Sequence, residues 1–336
     1  MQRFQYPQHL NAAFSYLSDL MRDRPTFETT DFHYYEKAAG ADYYKNVAQK
    51  QFVGVALPLD ADENSLIVLL RDDESQKEAA RATRALLRNQ FPEVTLVVRP
   101  VGEFRTAVGS AGSSARMRPA MGGDSVGHQN GGNASGSFGC LVEDSAGRQL
   151  ILSCNHVLAD VNRCNLGDAI WQPGIRYGGS SRDQIARLRD FEPLTVDGAT
   201  DNFMDAAIAL VDNPADAMPG IRRIGSVAKR QDPAPPSGPL YLTGPESASI
   251  VIGEFYSRSA SMNVRHPGIG IAVMEHQYLI DPQNGPSFGK LGDSGAIVVD
   301  QDNEAVAMLV AVEDKHGMAT ATPIDRILDR FQVAIK

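Results

Sequence analysis

Gly289 to Val299 reads GKLGDSGAIVV, and the rest of the chain is read outward from it. A serine set between glycines, with an aspartate before it and a β-branched run after it, presents a hydroxyl at a tight turn that feeds a buried strand. Ser294 is therefore the candidate nucleophile. Gly292 and Gly295 let the backbone turn sharply, which makes the amides of Gly292, Asp293 and Ser294 candidate donors to an oxyanion. Gly, Asp and Ser are also ordinary turn formers, so the motif carries chemistry only if a base and an orienting acid lie upstream.

Both are present. Leu150 to Asp160 reads LILSCNHVLAD, an apolar strand-like run that ends at His156 and gives a general base a fixed ring orientation. Met204 to Val211 reads MDAAIALV, which places Asp205 at the opening of a short apolar strand. A carboxylate in that setting needs a hydrogen-bonded partner such as an imidazole N–H. Asp197, Asp201 and Asp212 are nearby alternatives without that apolar strand context. The chain order His156, Asp205, Ser294 is that of one of the unrelated folds that carry this set of residues.

These segments together resemble the chymotrypsin-like, trypsin-like family S1 serine peptidases. HVLAD, GDAIWQPG (Gly167 to Gly174), DQIARL (Asp183 to Leu188), DAAIALV and LGDSGA are similar to a group of bacterial trypsin-like peptidases related to the plant narrow-leaf protease. The likeness runs from about Arg116 to the C-terminus. It implies a mainly β catalytic domain of two six-stranded antiparallel barrels, with the triad in the cleft between them. It also implies a serine endopeptidase acting on protein or peptide substrates through an acyl-enzyme, with no cofactor and no metal. By the same resemblance Phe288 lies at the base of the substrate pocket and Val310, Ala311 and Val312 form a wall, with Glu313 and Asp314 as candidate pocket charges. Digestive relatives pair a newly cut N-terminus, beginning Ile-Val-Gly-Gly, with the aspartate before the nucleophile, here Asp293. No such start is present, so the expectation is competence without cleavage, or a switch by a regulatory protein acting through the N-terminal region. Two other readings use the same residues: an esterase, and a catalytically silent adaptor that binds peptides.

Composition bounds the partners. The chain has 336 residues, 43% hydrophobic, with a net charge of -9, enough to bury two or three domains and without the basic face that nucleic acid requires. No apolar run reaches the roughly 20 residues of a membrane span, and the N-terminal stretch carries Asp19 and Asp23 with no cleavage pattern, so a cytoplasmic location is expected. Cys140, Cys154 and Cys164 are an odd number, too few for a disulfide framework, and read as free thiols. Neither a zinc spacing nor HExxH is present. His128, His266, His276 and His316 are read as surface or structural residues without a role.

The first 106 residues have a different character and read as a small α/β domain. Helical spacing over 9–23 puts Leu10, Phe14, Leu17 and Met21 on one stripe, and a second helical stretch falls at 31–49. Strands are expected at Phe52 to Leu57, Ser65 to Leu70 and Val94 to Val98, with a helix between the last two opened by a Ser75–Glu78 capping box and stopped by Pro92. Residues 107–136 are rich in Gly and Ser and read as a linker, with Arg116 and Arg118 as a cleavage point and no lysine for a phosphate loop. Residues 137–336 then read as the catalytic domain, closing on an amphipathic helix from Pro323 to Phe331.

Overall fold

The computed structural model describes residues 6–22, 48–60, 63–106, 115–131, 135–232, 234–247, 249–266 and 268–336. Its larger part is β structure built around two units. In one, six strands close on themselves: Leu240–Leu242, Val251–His266, Gly270–Pro282, Ala319–Pro323, Glu304–Glu313 and Ile297–Val299, the last pairing back to the first through Tyr241 and Val299. Every pairing in this ring is antiparallel, so the ring has no free edge along its paired length. Its inside is filled by Leu240, Leu242, Phe255, Ile280, Phe288, Val298 and Leu309, each worth about 1.5–3 kcal/mol when taken out of water.

The other unit also closes into the six-stranded barrel expected from the resemblance: Ser135–Ser137 and Cys140–Asp144 are one run broken only at Phe138 and Gly139, and it pairs with Ser125–His128 on one side and Gln149–Ser153 on the other. Its order runs Val333–Ile335, Cys140–Asp144, Gln149–Ser153, Ala207–Val211, Gln184–Phe191, Ala169–Trp171, Ser125–His128 and Ser135–Ser137. The amphipathic helix Ile324–Phe331 forms as its spacing predicts, and its Ile324, Ile327, Leu328 and Phe331 enter the core of this sheet beside Leu141, Ile151 and Ile208. The strand after that helix then pairs with Cys140–Asp144. The end of the chain therefore straps the two units together.

Two of the sheet's strands, Ser125–His128 and Ser135–Ser137, and the short strand Ala120–Gly122 lie in or reach into the stretch read as a linker. Small residues there mark close packing rather than looseness: all of Ser125 to His128 is buried. Residues 107–114 and 132–134 lie outside the described residues. Arg118 is also poorly placed as a cleavage point, since its guanidinium donates to the carbonyls of Met117 and Asp183 and to the side chain of Gln172.

The N-terminal region has the expected succession of strand, strand, helix and strand at Phe52–Ala56, Ser65–Arg71, Gln76–Gln90 and Thr95–Val101. The second and third strands are parallel, joined across the helix. The capping box does not form: the Ser75 amide and hydroxyl both donate to the Asp73 carboxylate, two residues earlier, so the helix start is held from outside the helix. Helix Gln8–Arg22 buries Leu10, Leu17 and Met21 as its stripe predicts, and the stretch 31–49 lies almost wholly outside the described residues. This region shares its sheet with the ring, because Phe52–Ala56 pairs with Val251–His266, Gly54 facing Met262. At the junction Glu275 is buried, accepting from the Arg22 guanidinium and from the hydroxyls of Ser18 and Ser261.

Candidate functional site

His156 sits one residue into a short helical turn, Asn155–Leu158, that follows strand Gln149–Ser153. Asp205 precedes strand Ala207–Val211, and the register Ala207 to Ser153 brings the two segments side by side. The Asp205 carboxylate, with no exposed surface, takes the Nδ1 side of the His156 ring at 2.5 Å with one oxygen and the His156 backbone N–H at 3.1 Å with the other. Burial alone would raise the Asp205 pKa, but the charge and hydrogen bond of His156, with His266 nearby, hold it below the usual carboxylate range. The ring is thus oriented, and its Nε2 is buried with no protein partner.

Ser294 lies in the turn that enters strand Ile297–Val299. Gly292 and Gly295 hold φ of +107° and +90°, the left-handed region that favours glycine. At Gly295 a side chain has no room either, since a Cβ would stand 2.2 Å from Ser153 Oγ. The turn is tied to both units: the Ser294 carbonyl accepts from the Ser137 amide at 2.8 Å, and the Gly295 amide donates to the Leu309 carbonyl at 2.8 Å. The Ser294 hydroxyl, however, donates to the carbonyl of Val310 at 3.1 Å and not to His156. The structure thus joins His156 to Asp205 by hydrogen bonds and leaves Ser294 hydrogen-bonded elsewhere.

Of the three amides read as oxyanion donors, that of Asp293 is spent on the Lys290 carbonyl at 2.9 Å, which removes it from the set. Among the described residues no protein acceptor takes the amides of Gly292 or Ser294. The Asp293 side chain is fully buried and meets only uncharged donors: the amides of Glu246 and Lys290 and the hydroxyl of Ser247, at 2.8, 2.9 and 2.6 Å. Burial, its largest influence, pushes Asp293 above the usual carboxylate range, and these hydrogen bonds only partly offset it.

The residues read from the resemblance as pocket floor and wall are all buried. Phe288 points into the core of the ring with no exposed surface and is a packing residue, not a pocket floor. Val310, Ala311 and Val312 are buried as well. Glu313 spends its carboxylate on the amides of Gly102, Lys315 and His316, and Asp314 accepts from the Glu103 amide and pairs with Arg105. Neither is a free pocket charge. A cavity of about 270 Å³ lined by Met117, Asp124, Tyr177, Arg222 and Glu246 lies beside the Asp293 side of the turn and includes none of His156, Asp205 and Ser294.

One residue close to the site had no sequence signal. His266 ends the strand Val251–His266, is 1% exposed, and lies edge-on to His156 with ring centroids 5.8 Å apart. Its Nδ1 shares a hydrogen bond with the Thr106 hydroxyl at 3.1 Å, and its Nε2 is buried without a partner. Burial, partly opposed by Asp205, pushes it down to about 4. Cys154 lies within 4.8 Å of the His156 and Asp205 ligand atoms, but its thiol donates to the Leu309 carbonyl and burial pushes its pKa well up, which leaves it a protonated packing group. All three cysteines are free thiols.

No family model matches the chain, and no curated protein does. Solved structures that resemble it are serine proteases. A glutamic-acid-specific serine protease described as using a histidine triad in substrate binding aligns at 12% identity and TM-score 0.46, covering 65% of this chain and 100% of that one. Protease A of Thermobifida fusca aligns at 14% identity and TM-score 0.44, covering 64% and 97%. A Nocardiopsis protease aligns at 12% identity and TM-score 0.45, covering 64% and 98%.

Proposed function

We propose that this protein is a serine endopeptidase in which Ser294 is the nucleophile, His156 the general base and Asp205 the residue that orients it. The observation that carries the reading is the buried His156–Asp205 contact at 2.5 Å, which commits Nδ1 and leaves Nε2 of the same ring unpartnered. In this scheme the Ser294 hydroxyl leaves the Val310 carbonyl and hydrogen-bonds to that nitrogen. Oγ then bonds to the peptide carbonyl carbon as its proton passes to Nε2, and the amides of Gly292 and Ser294 stabilise the oxyanion, each such donor worth about 100- to 1000-fold in rate. The C–N bond breaks as the imidazolium returns the proton to the leaving amine, and water releases the acyl group by the same steps in reverse. Asp293 needs no inserted cation in this scheme because three neutral donors already hold it, which favours competence without zymogen cleavage.

The narrower grouping with bacterial relatives of the plant narrow-leaf protease rests on the motifs alone. A cytoplasmic location is supported by the free thiols. Among the described residues no helix is long and apolar enough to cross a membrane.

A second reading, the silent peptide-binding adaptor, draws on the Ser294 hydroxyl being directed to Val310. Labelling with a fluorophosphonate probe, read by intact mass beside Ser294→Ala and His156→Ala, separates the two. The peptidase reading expects label on wild type alone, mapped to Ser294, and turnover of peptides above simple esters. Folded wild-type protein that takes no label would leave the adaptor, and faster turnover of esters would leave the esterase.

A further inference from the structure

The chain that delivers Asp205 is anchored on the ring as well as on its own barrel. Asp201 and Asn202 run parallel to strand Gly270–Pro282, facing Val273 and Met274, and the Asn202 side-chain amide donates to the Val273 carbonyl at 3.1 Å. The next carbonyl, that of Phe203, lies two residues before Asp205 and accepts from Gln277 Nε2 at 3.2 Å and from the Arg326 guanidinium at 3.3 Å. Gln277 has no exposed surface. Its Nε2 also donates to the Glu275 carbonyl at 2.8 Å, and its Oε1 accepts from the buried Thr322 hydroxyl at 2.8 Å. A fixed side chain of the ring therefore holds the main chain at the approach to the acid.

Gln277 reaches that carbonyl because its strand is bulged. The register against Val251–His266 passes from Met274 facing Met262 to Gln277 facing Ala260, so Glu275 and His276 stand opposite the single residue Ser261. His276 takes up the difference at a φ of +55°, a left-handed conformation uncommon for a residue with a side chain. Its ring lies nearly parallel to that of the exposed Phe203, with planes 16° apart and centroids 6.0 Å apart. A bulge beside an active site re-aims a side chain, and a backbone in this region persists where its surroundings over-determine it. We propose that Gln277 is a positioning residue for Asp205: the bulge at Glu275 and His276 aims its amide at the Phe203 carbonyl and so fixes, from the ring, where the carboxylate meets His156. The inference rests on the peptidase reading above. It makes the ring responsible for both ends of the triad, for the nucleophile directly and for the acid through a hydrogen bond to its main chain.

The test uses the full-length protein with Gln277→Met, which keeps the length of the side chain and removes its donor. Beside it stands Thr322→Val, which removes the hydroxyl that donates to Gln277 and leaves the bond to Phe203. Each loses a buried hydrogen bond, so both should lower the urea midpoint. Only Gln277→Met should lower kcat on a peptide substrate, about 10-fold with KM unchanged, as a small misplacement of a reacting group does. In the resting protein the low-field proton resonance of the His156 Nδ1–H should shift in Gln277→Met and stay in place in Thr322→Val. His276 is exposed, and His276→Val puts a β-branched residue where φ is positive; it should reproduce the kcat loss and the resonance shift without touching the buried amide. Equal kcat losses in Gln277→Met and Thr322→Val overturn the positioning role and leave the peptidase reading standing. So does a wild-type kcat with an unmoved resonance in Gln277→Met or His276→Val. Folded wild-type protein that takes no fluorophosphonate label and turns over no peptide overturns the peptidase reading and the positioning role together.

Discussion

The barrel that carries His156 and the ring that carries Ser294 contribute to the site in opposite states. The first barrel delivers His156 and Asp205 already hydrogen-bonded, by the pairing of Ala207 with Ser153. The ring delivers Ser294 on a turn whose backbone is fixed at both ends but whose hydroxyl is engaged elsewhere. Each unit also buries an aspartate at the site, Asp205 in one and Asp293 in the other, and the two are shifted in opposite directions. Asp205 faces imidazole rings and is held low, whereas Asp293 faces only neutral donors and is pushed up. Desolvation is the largest influence on both, so the chemistry of the partner decides the sign. The base pair is thus preset, whereas the serine hydroxyl is engaged away from it.

The largest way to break that contrast is to disorder the preset half. Asp205→Asn retains the shape but offers His156 an amide in place of a carboxylate, and turnover of a peptide substrate should fall about 10⁴-fold. A loss below 10-fold would mean the pair does not act as a unit.

Next is the histidine between the units. His266 stays neutral in the fold down to about 4, whereas it titrates near 6.5 in the unfolded chain. As pH falls below 6.5 the unfolded state binds the proton first, so stability is complete above that value and is lost down to about 4, about 3 kcal/mol in all. His266→Gln should flatten this part of the pH dependence in urea melts taken from pH 7 to 4.5. Parallel curves for the two proteins would sink the idea.

The contact between the units is the third target. A Cβ at Gly139 would stand 2.4 Å from the Gly295 carbonyl oxygen and 2.8 Å from that of Leu152, backbone on both sides. Gly139→Ala should therefore cost about 2 kcal/mol, seen as a lower urea midpoint, and should slow labelling of Ser294 by shifting its turn. The smallest effect belongs to the region outside both units: Arg22→Ala leaves Glu275 with its two serine donors and should cost about 1 kcal/mol. A change of several kcal/mol there would mean the ring does not stand without its N-terminal sheet.

The legible parts of the sequence were those with a local cause. The His156, Asp205 and Ser294 segments announce themselves because each couples a polar residue to an apolar run, and the strand, strand, helix, strand order of the N-terminal region follows from periodicity and Pro92. What was not legible depends on the partner across a contact. Small residues at 120–137 look like a linker until the close approach of the Ser294 turn is known, since small side chains serve both looseness and tight packing. Phe288 faces inward because of the closure of the ring, which no local spacing encodes. His266 reads as any histidine at a strand end, and only the long hairpin it terminates brings it to His156. The bulge that turns Gln277 toward Phe203 is invisible for the same reason.

Gly54 finds its strand partner at Met262, and that separation sets a timetable for synthesis. The strand Phe52–Ala56 leaves the ribosome about 200 residues before the hairpin that covers its edge, a wait on the order of 10–40 s at ordinary elongation rates. Throughout that interval the apolar Phe52–Ala56 and Ser65–Arg71 pair presents an uncovered edge, the kind of surface that recruits other nascent chains. The newborn polypeptide is therefore a natural client for holding chaperones, and its yield should depend on them more than on the stability of the finished fold.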